Sequence, residues 1–280
     1  MKLISVIVTT YNWPEALRAC LESLLAQNDR YFEIIIADDG STQDTQDLIQ
    51  TFKSQSPIQI KHAYQADKGF RAGTIRNKAV ALSAGDYLVF LDGDCIVFSD
   101  FIQRHRRLAE PGFFVPGNRI LLSQCFTQKV LQQHIPLHQR SAFFFIGCWL
   151  TGKINRFLPL LTFPFDFFRY RHPKRWQKAM TCNLALFKQD FMAVNGFDEA
   201  FEGWGYEDSD LVIRLIHNGI KRKEGRFAVP VLHLWHSHNS RDKQSENYAR
   251  LMQRLADDNL IQASQGMRQY LDDQNTPESL

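Results

Sequence analysis

The first ninety-two residues alternate between two hydrophobic periods, and this narrows the fold more than any other feature of the chain. "LISVIVT" (3–9), "EIIIAD" (33–38), "IQIKHAY" (58–64) and "DYLVFLD" (86–92) are short apolar runs rich in β-branched residues. Such runs read as strands, the first, second and fourth covered on both faces. Between them the apolar residues return at helical spacing. Leu17, Leu21, Leu24 and Leu25 follow Asn12 and Pro14; Leu48, Ile49 and Phe52 follow Ser41 and Asp44; a third helix is expected over 72–85. Asn12 reads as an N-cap, Ser41 with Asp44 as a capping box, and Gly85 as a helix stop. Strand–helix alternation with short connections predicts an α/β protein of right-handed βαβ units on a mostly parallel sheet. Ligands of such sheets bind at the carboxyl ends of the strands. Thr9 and Tyr11, Asp38 and Asp39, Asp67 to Arg71, and Asp92 with Asp94 are thereby directed to one crevice.

Composition removes several classes. The net charge of +3 over 280 residues is too small to argue for nucleic acid. Five cysteines, odd in number and scattered without a C-x-x-C pair, fit neither a disulfide framework nor a Cys-ligated zinc site. They predict a reducing, cytoplasmic setting. No apolar run approaches the roughly 20 residues needed to span a bilayer, and "MKLISVIVTTYN" reads as a strand rather than a signal peptide. The polar stretch 263–280 is expected to fray.

Three clusters carry chemistry-bearing side chains. "FLDGDC" sets Asp92 and Asp94 around a glycine directly after a buried strand, so both carboxylates can face one point. Such oxygens suit a hard divalent cation, although Asp-Gly turns are common in any case. "FEGWGYEDSDL" (201–211) crowds Glu202, Glu207, Asp208 and Asp210 ahead of a helix expected over 209–219. The helix dipole favours acids there, and Asp210 best suits a plain capping role. Trp204, held between glycines, offers either a flat face for a sugar ring or an ordinary core side chain. Finally, "VLHLWHSH" presents His233, His236 and His238 after a short strand; His233 and His236 can approach one metal.

The segments "SVIVTTYNWPEALRACLESLLAQ", "IIIADDGSTQDT", "FRAGTIRNKAVALSAGDYLVFLDGD" and "GFDEAFEGWGYEDSDLVIRL" together resemble the ordered motifs of glycosyltransferase family 2. The last also resembles the carboxyl half of chondroitin-synthase-like and β-1,4-galactosyltransferase-like enzymes. The resemblance covers residues 3 to about 120 and about 179 to 240. It implies a GT-A fold, Rossmann-like, and an inverting transferase that uses a UDP-sugar. By position, Thr9, Tyr11 and Asp39 would hold uracil and ribose, and Arg71 and Arg76 phosphate or sugar oxygens. Asp92 would contact ribose, or the metal through water. Asp94, His236 and His233 would bind Mn²⁺ or Mg²⁺, and imidazole among oxygen ligands favours Mn²⁺. Asp208 would be the general base toward an acceptor hydroxyl, with Glu207 orienting the acceptor.

This division gives a nucleotide-sugar half over 1–118, an insertion over 119–178, an acceptor and metal half over 179–262 and a polar tail over 263–280, all within one continuous domain. The insertion matches no motif of the family. Its stretch 142–176 mixes phenylalanines with Lys153, Arg156, Arg169, Arg171, Lys174 and Arg175, while Pro159, Pro164 and Pro173 rule out one continuous helix. Aromatic and basic residues together suit the interface of an anionic membrane; an ordinary core insertion is the other reading. Peripheral attachment at the inner face of the cell membrane would bring the chain to a lipid-linked glycan such as a lipopolysaccharide core. A nucleotidyltransferase would also use strand-end acids and metal, but "TTYNWPEA" lacks its Gly-rich, lysine-bearing loop. A non-catalytic binder of UDP-sugars or glycans on the same scaffold also remains open.

Overall fold

The computed structural model describes residues 3–163, 165–237 and 241–272. The expected alternation is present: β1 (Ile4–Thr10), α1 (Pro14–Leu25), β2 (Phe32–Asp38), α2 (Gln43–Gln55), β3 (Ile60–Tyr64), α3 (Ala72–Ala81) and β4 (Tyr87–Asp92). There follow β5 (Cys95–Val97), α4 (Phe101–Leu108), β6 (Phe113–Pro116), β7 (Asn118–Leu121), α5 (Gln124–Gln132) and α6 (Ala142–Leu150). The chain continues through β8 (Asn183–Phe187), α7 (Lys188–Ala193), α8 (Glu207–His217), β9 (Lys221–Arg222), β10 (Pro230–His233), α9 (Gln244–Ala256) and α10 (Gln269–Asp272). The main sheet runs β3-β2-β1-β4-β8-β6-β9, and only β8 opposes the common direction. A small second sheet, β5-β10-β7, stands beside it.

The central strands are apolar on both faces because each face has its own helix layer. Val6, Val8, Ile34, Ile36 and Val89 pack with Leu17 and Leu21 of α1 and Ile49 of α2. Their neighbours Ile7, Ile35, Leu88 and Phe90 pack on the opposite side with Ile75 of α3 and Leu211 and Leu215 of α8. Register places the strand ends level: Thr10 lies beside Asp38, and Thr9 beside Asp92. Gly93 then turns the chain against β1, donating its N–H to the Thr9 carbonyl at 2.7 Å. A third core, built on Ile120, Leu122, Phe145, Cys148 and Ile154, packs behind β10 through Leu232 and Leu234.

Several local expectations need correction. Asn12 does not cap α1. It sits at φ 47°, and its Oδ1 accepts the Thr42 N–H, tying the start of α1 to that of α2. Ser41 and Asp44 form no capping box; the Ser41 hydroxyl instead accepts the Asn12 N–H at 2.9 Å. The helix α3 ends at Ala81, four residues before Gly85. Gly85 is required for contact rather than termination, since a Cβ there would meet Ser5 Oγ at 2.4 Å. Residues 263–272 do not fray: Met267 is fully buried in the second core, and Ser264 hydrogen-bonds the Asp198 carboxylate. The rest of that tail, 273–280, lies outside the described residues, as do Pro164 and His238.

Candidate active site

The carboxyl ends of β1, β2 and β4 assemble a cleft lined by partnered carboxylates. Asp39 is buried and accepts hydrogen bonds from Gln65 Nε2 at 2.6 Å and the Arg71 N–H at 2.8 Å. Burial nevertheless raises its pKa. Asp38 is structural: it accepts the Ser41 N–H at 2.8 Å and faces His62 Nε2 at 3.1 Å. Tyr11 is half exposed, and its hydroxyl donates to Asp67 at 2.8 Å, which leaves the ring open. The Arg71 side chain turns away to the Ala66 carbonyl at 2.6 Å. The Thr9 hydroxyl accepts from Arg76 Nε at 3.0 Å.

Beyond Gly93, Asp94 faces two histidines delivered by β10 and the residues after it. Its oxygens lie 3.6 Å from His233 Nε2 and 3.4 Å from His236 Nε2. Each imidazole directs Nδ1 at a carbonyl, His233 at Leu234 O (2.8 Å) and His236 at Ser237 O (2.6 Å). A carbonyl only accepts, so both Nδ1 atoms carry hydrogen, and in the neutral rings both Nε2 lone pairs point toward the Asp94 carboxylate. Lone pairs and a carboxylate facing each other need a proton or a cation between them. An Nδ1–H held by a carbonyl is also the usual outer support of a metal-binding histidine. Cys95 stands with Asp94 and His233, the potential ligand atoms of the three lying within 4.8 Å of one another, and burial pushes its thiol pKa well up. One carboxylate and two imidazoles fit Mn²⁺ or a similar divalent cation.

The acids of "FEGWGYEDSDL" part company in three dimensions. Tyr206, at φ 72°, and the positive-φ glycines 203 and 205 fold the loop back so that α8 starts at Glu207. Glu202 is at the surface. Asp210 is fully buried and paired with Arg214 and Arg254, each at 2.8 Å. It is therefore structural, but as an ion-pair hub rather than a cap. Glu207 and Asp208 alone turn to the strand ends. Asp208 accepts the Thr181 N–H at 3.0 Å and the Thr181 hydroxyl at 2.7 Å.

Arg76 joins the two sets of acids. It is only 4% exposed, and its guanidinium lies 3.2 Å from Asp92, 3.8 Å from Glu207 and 3.6 Å from Asp208. The sequence allowed a solvated surface arginine at this position; the structure places it at the centre of the cleft. Three carboxylates share this one buried cation, and all three are held above the usual carboxylate range, with burial the main cause. Glu207 is pushed up to about 7. Asp208 has the two donors of Thr181 beside Arg76, which favour its charged form and offset part of the effect of burial.

Residues 5–186 match the family model described as glycosyl transferase family 2. The chain belongs to glycosyl transferase family 2. Residues 164–236 also match a model described as the N-terminal domain of galactosyltransferase, the part that carries Asp208, His233 and His236. Validoxylamine A glucosyltransferase of Streptomyces hygroscopicus subsp. jinggangensis is 31% identical over 227 residues, 78% of this chain and 52% of that protein. The chondroitin synthase of Escherichia coli is 25% identical over 247 residues, 80% of this chain and 34% of that protein. This family member thus spans about half the length of the glucosyltransferase it matches. Among solved structures, S. aureus TarS in complex with UDP superposes with a TM-score of 0.60 at 15% identity, covering 96% of this chain and 68% of that one. The mannosyltransferase PcManGT of Pyrobaculum calidifontis, in complex with GDP-Man and Mn²⁺, gives 0.58 at 16% identity, covering 91% and 63%. The GT-A fold is shared with both.

The family motifs left several residues of this cleft unmarked. Gln65 and Thr181 orient Asp39 and Asp208, yet each lies in an ordinary polar stretch 26 or 27 residues from its partner. Trp13 packs edge-on to His236, with ring centroids 6.3 Å apart. Its proximity to Tyr11 was the only hint. Trp204 is half-buried, and the Arg241 guanidinium lies over its ring at 5.2 Å.

Proposed function

We propose that this chain is an inverting glycosyltransferase that moves a hexose from a UDP-sugar to a hydroxyl of a glycan or lipid-linked glycan, with Mn²⁺ or Mg²⁺ as cofactor. The observation that supports the reading is the Arg76 bridge, which brings Glu207 and Asp208 of α8 together with Asp92 at the end of β4. Tyr11 offers an open ring for the uracil, and Asp39 a carboxylate for its N3–H, with Thr9 and Asp92 toward the ribose. Asp94, His233 and His236 would hold the cation, which when bound offsets charge on the departing diphosphate. Arg71 would need to leave the Ala66 carbonyl to reach a phosphate.

Asp208 takes the proton of the acceptor hydroxyl as its oxygen bonds to the anomeric carbon and the bond from that carbon to UDP breaks. One displacement inverts the centre, and the proton passes from Asp208 to water afterwards. The fixed Thr181 donors keep Asp208 ionised and aimed, and its burial restores part of the basicity that the helix terminus removes. Glu207, its pKa pushed up to about 7, can in its protonated form donate a hydrogen bond to an acceptor oxygen. Trp204 would stack on the acceptor sugar with the face that Arg241 leaves free. A lipid-linked acceptor, of lipopolysaccharide or another cell-surface polysaccharide, would place the chain in the cytoplasm at the inner face of the membrane.

The test is UDP release from a panel of UDP-sugars with and without Mn²⁺, comparing wild type with Asp208→Asn. Transfer should fall about 10³-fold, within the range for a general base, while UDP binding is unchanged. Equal transfer rates would remove Asp208 from the role. Binding of UDP without turnover of any donor would favour a binding protein.

A further inference from the structure

The insertion's third core is covered on one side only. α6, "AFFFIGCWL", carries no charged side chain and no hydroxyl or amide side chain, a composition expected of a helix buried all round. Yet only Phe145 and Cys148 are buried, while Phe143, Trp149 and Leu150 are 84%, 48% and 72% exposed. The irregular stretch after it repeats the pattern, with Leu158, Phe165 and Phe167 at 64%, 64% and 73%. The two stretches meet across a cleft of about 340 Å³ that Arg140, Ala142 and Phe145 share with Leu160. Among the described residues, nine of the exposed large apolar side chains fall from Phe143 to Tyr170, far more than scattered surface residues would give.

The charge is segregated with them. Residues 140–178 hold eight basic side chains and one acid, Asp166, whereas the other 241 residues hold 25 basic and 29 acidic ones. The rest of the chain is therefore net-negative, and residues 140–178 carry a strongly positive, aromatic face. Arg140, Lys153, Arg156, Arg171, Lys174 and Lys178 are exposed, and two of them lie along aromatic rings, Arg140 over Phe144 and Lys153 over Phe126. Asp166 is already engaged by Arg169 at 2.7 Å.

We infer that residues 140–163 and 165–178 form a docking face for an anionic phospholipid bilayer, with α6, residues 158–163 and residues 165–167 entering the headgroup zone and the basic residues lying on the phosphates. The inference deepens the proposed function and rests on it only for what the membrane supplies, a lipid-linked acceptor. The face is fixed to the active site through β7 and β10. The insertion core packs on Leu232 and Leu234, on either side of His233, and the Leu122 N–H donates to the His233 carbonyl at 2.9 Å. Aromatic and aliphatic side chains give area-proportional binding, and the basic ring adds a component that salt screens.

The experiment is co-sedimentation of the full chain with vesicles of phosphatidylcholine alone or mixed with phosphatidylglycerol. Wild type should pellet with the anionic vesicles and lose binding as salt rises. The triple variant Phe143→Ser/Trp149→Ser/Leu150→Ser should lower partitioning at least about tenfold, and Arg171→Glu/Lys174→Glu should remove most of the difference between the two vesicle types. UDP binding by both variants should equal wild type, since none of these residues lines the active site. Phe145 is left intact because it belongs to the core. No pelleting by wild type, or equal pelleting of wild type and variants, overturns the inference. So does a wild-type dimer in light scattering that the triple variant dissociates, because the face would then hold a second copy. Loss of UDP binding in wild type itself would instead sink the transferase reading and leave the vesicle result standing.

Discussion

Two acid clusters serve the same cleft, and the protein relieves their repulsion in opposite ways. Asp94, just after a buried strand, faces Nε2 of His233 and of His236, an arrangement that could take an added cation. Glu207 and Asp208, at a helix start, face a cation the chain already supplies, Arg76. The first arrangement can be loaded and emptied; the second is permanent, and its burial raises the pKa of both acids. The contrast suits the roles proposed for them: a diphosphate would arrive and leave with each turnover, whereas a base would have to be ready before the acceptor arrives.

Three measurements would break or sharpen this contrast. The largest effect is expected from Asp94→Ala. Calorimetry should show Mn²⁺-dependent UDP binding weakened by at least about 100-fold, since even loss of an outer-shell partner costs 10–100-fold. Asp208→Asn should leave that binding intact. Equal weakening in both variants would mean that the two clusters form one undivided site. The next effect is on stability. Asp210→Asn strands Arg214 and weakens the hold on Arg254, and breaking a buried pair costs about 3–5 kcal/mol. Thermal unfolding should therefore drop by roughly 10 °C for a chain of this size, without change in the metal dependence of UDP binding. A silent Asp210→Asn would return that residue to the surface acids.

The smallest effect is a pH dependence. Glu207 has a folded pKa of about 7, above the ordinary 4.5. Between these values the folded state binds a proton that the unfolded state has lost, so the Glu207 contribution to stability falls as pH rises from about 4.5 to about 7. Glu207→Gln mimics the protonated acid and removes this dependence. The difference in melting temperature between variant and wild type should grow in favour of the variant across that window. A difference that stays flat would show that Glu207 is ionised throughout, and that Arg76 satisfies both acids.

Sequence pattern served the two halves of the molecule unequally. The central sheet was legible because strands covered on both faces leave nearly continuous apolar runs, and their polar ends mark the crevice. Helix starts were read less well. Asn12 and Ser41 looked like caps, but each satisfies the other's loop across some thirty residues, a pairing that single-segment propensity cannot show. Residues 119–178 were legible as composition only. Which phenylalanines face outward depended on how α6 sits against Ile120 and Leu232, so Phe143 and Phe145, two residues apart, have opposite fates.

By itself, the order of residues determined the βαβ alternation, the level strand ends and the types of side chain brought to them, because hydrophobic period and turn chemistry are local. Tertiary structure alone decided the division of labour among four neighbouring acids. Asp210 was drawn into the core by Arg214 and Arg254, while Glu207 and Asp208 were turned to Arg76. A carboxylate's protonation and reach are set by the charges and donors that surround it, and here those come from α3, α9 and the residues before β8, remote in sequence.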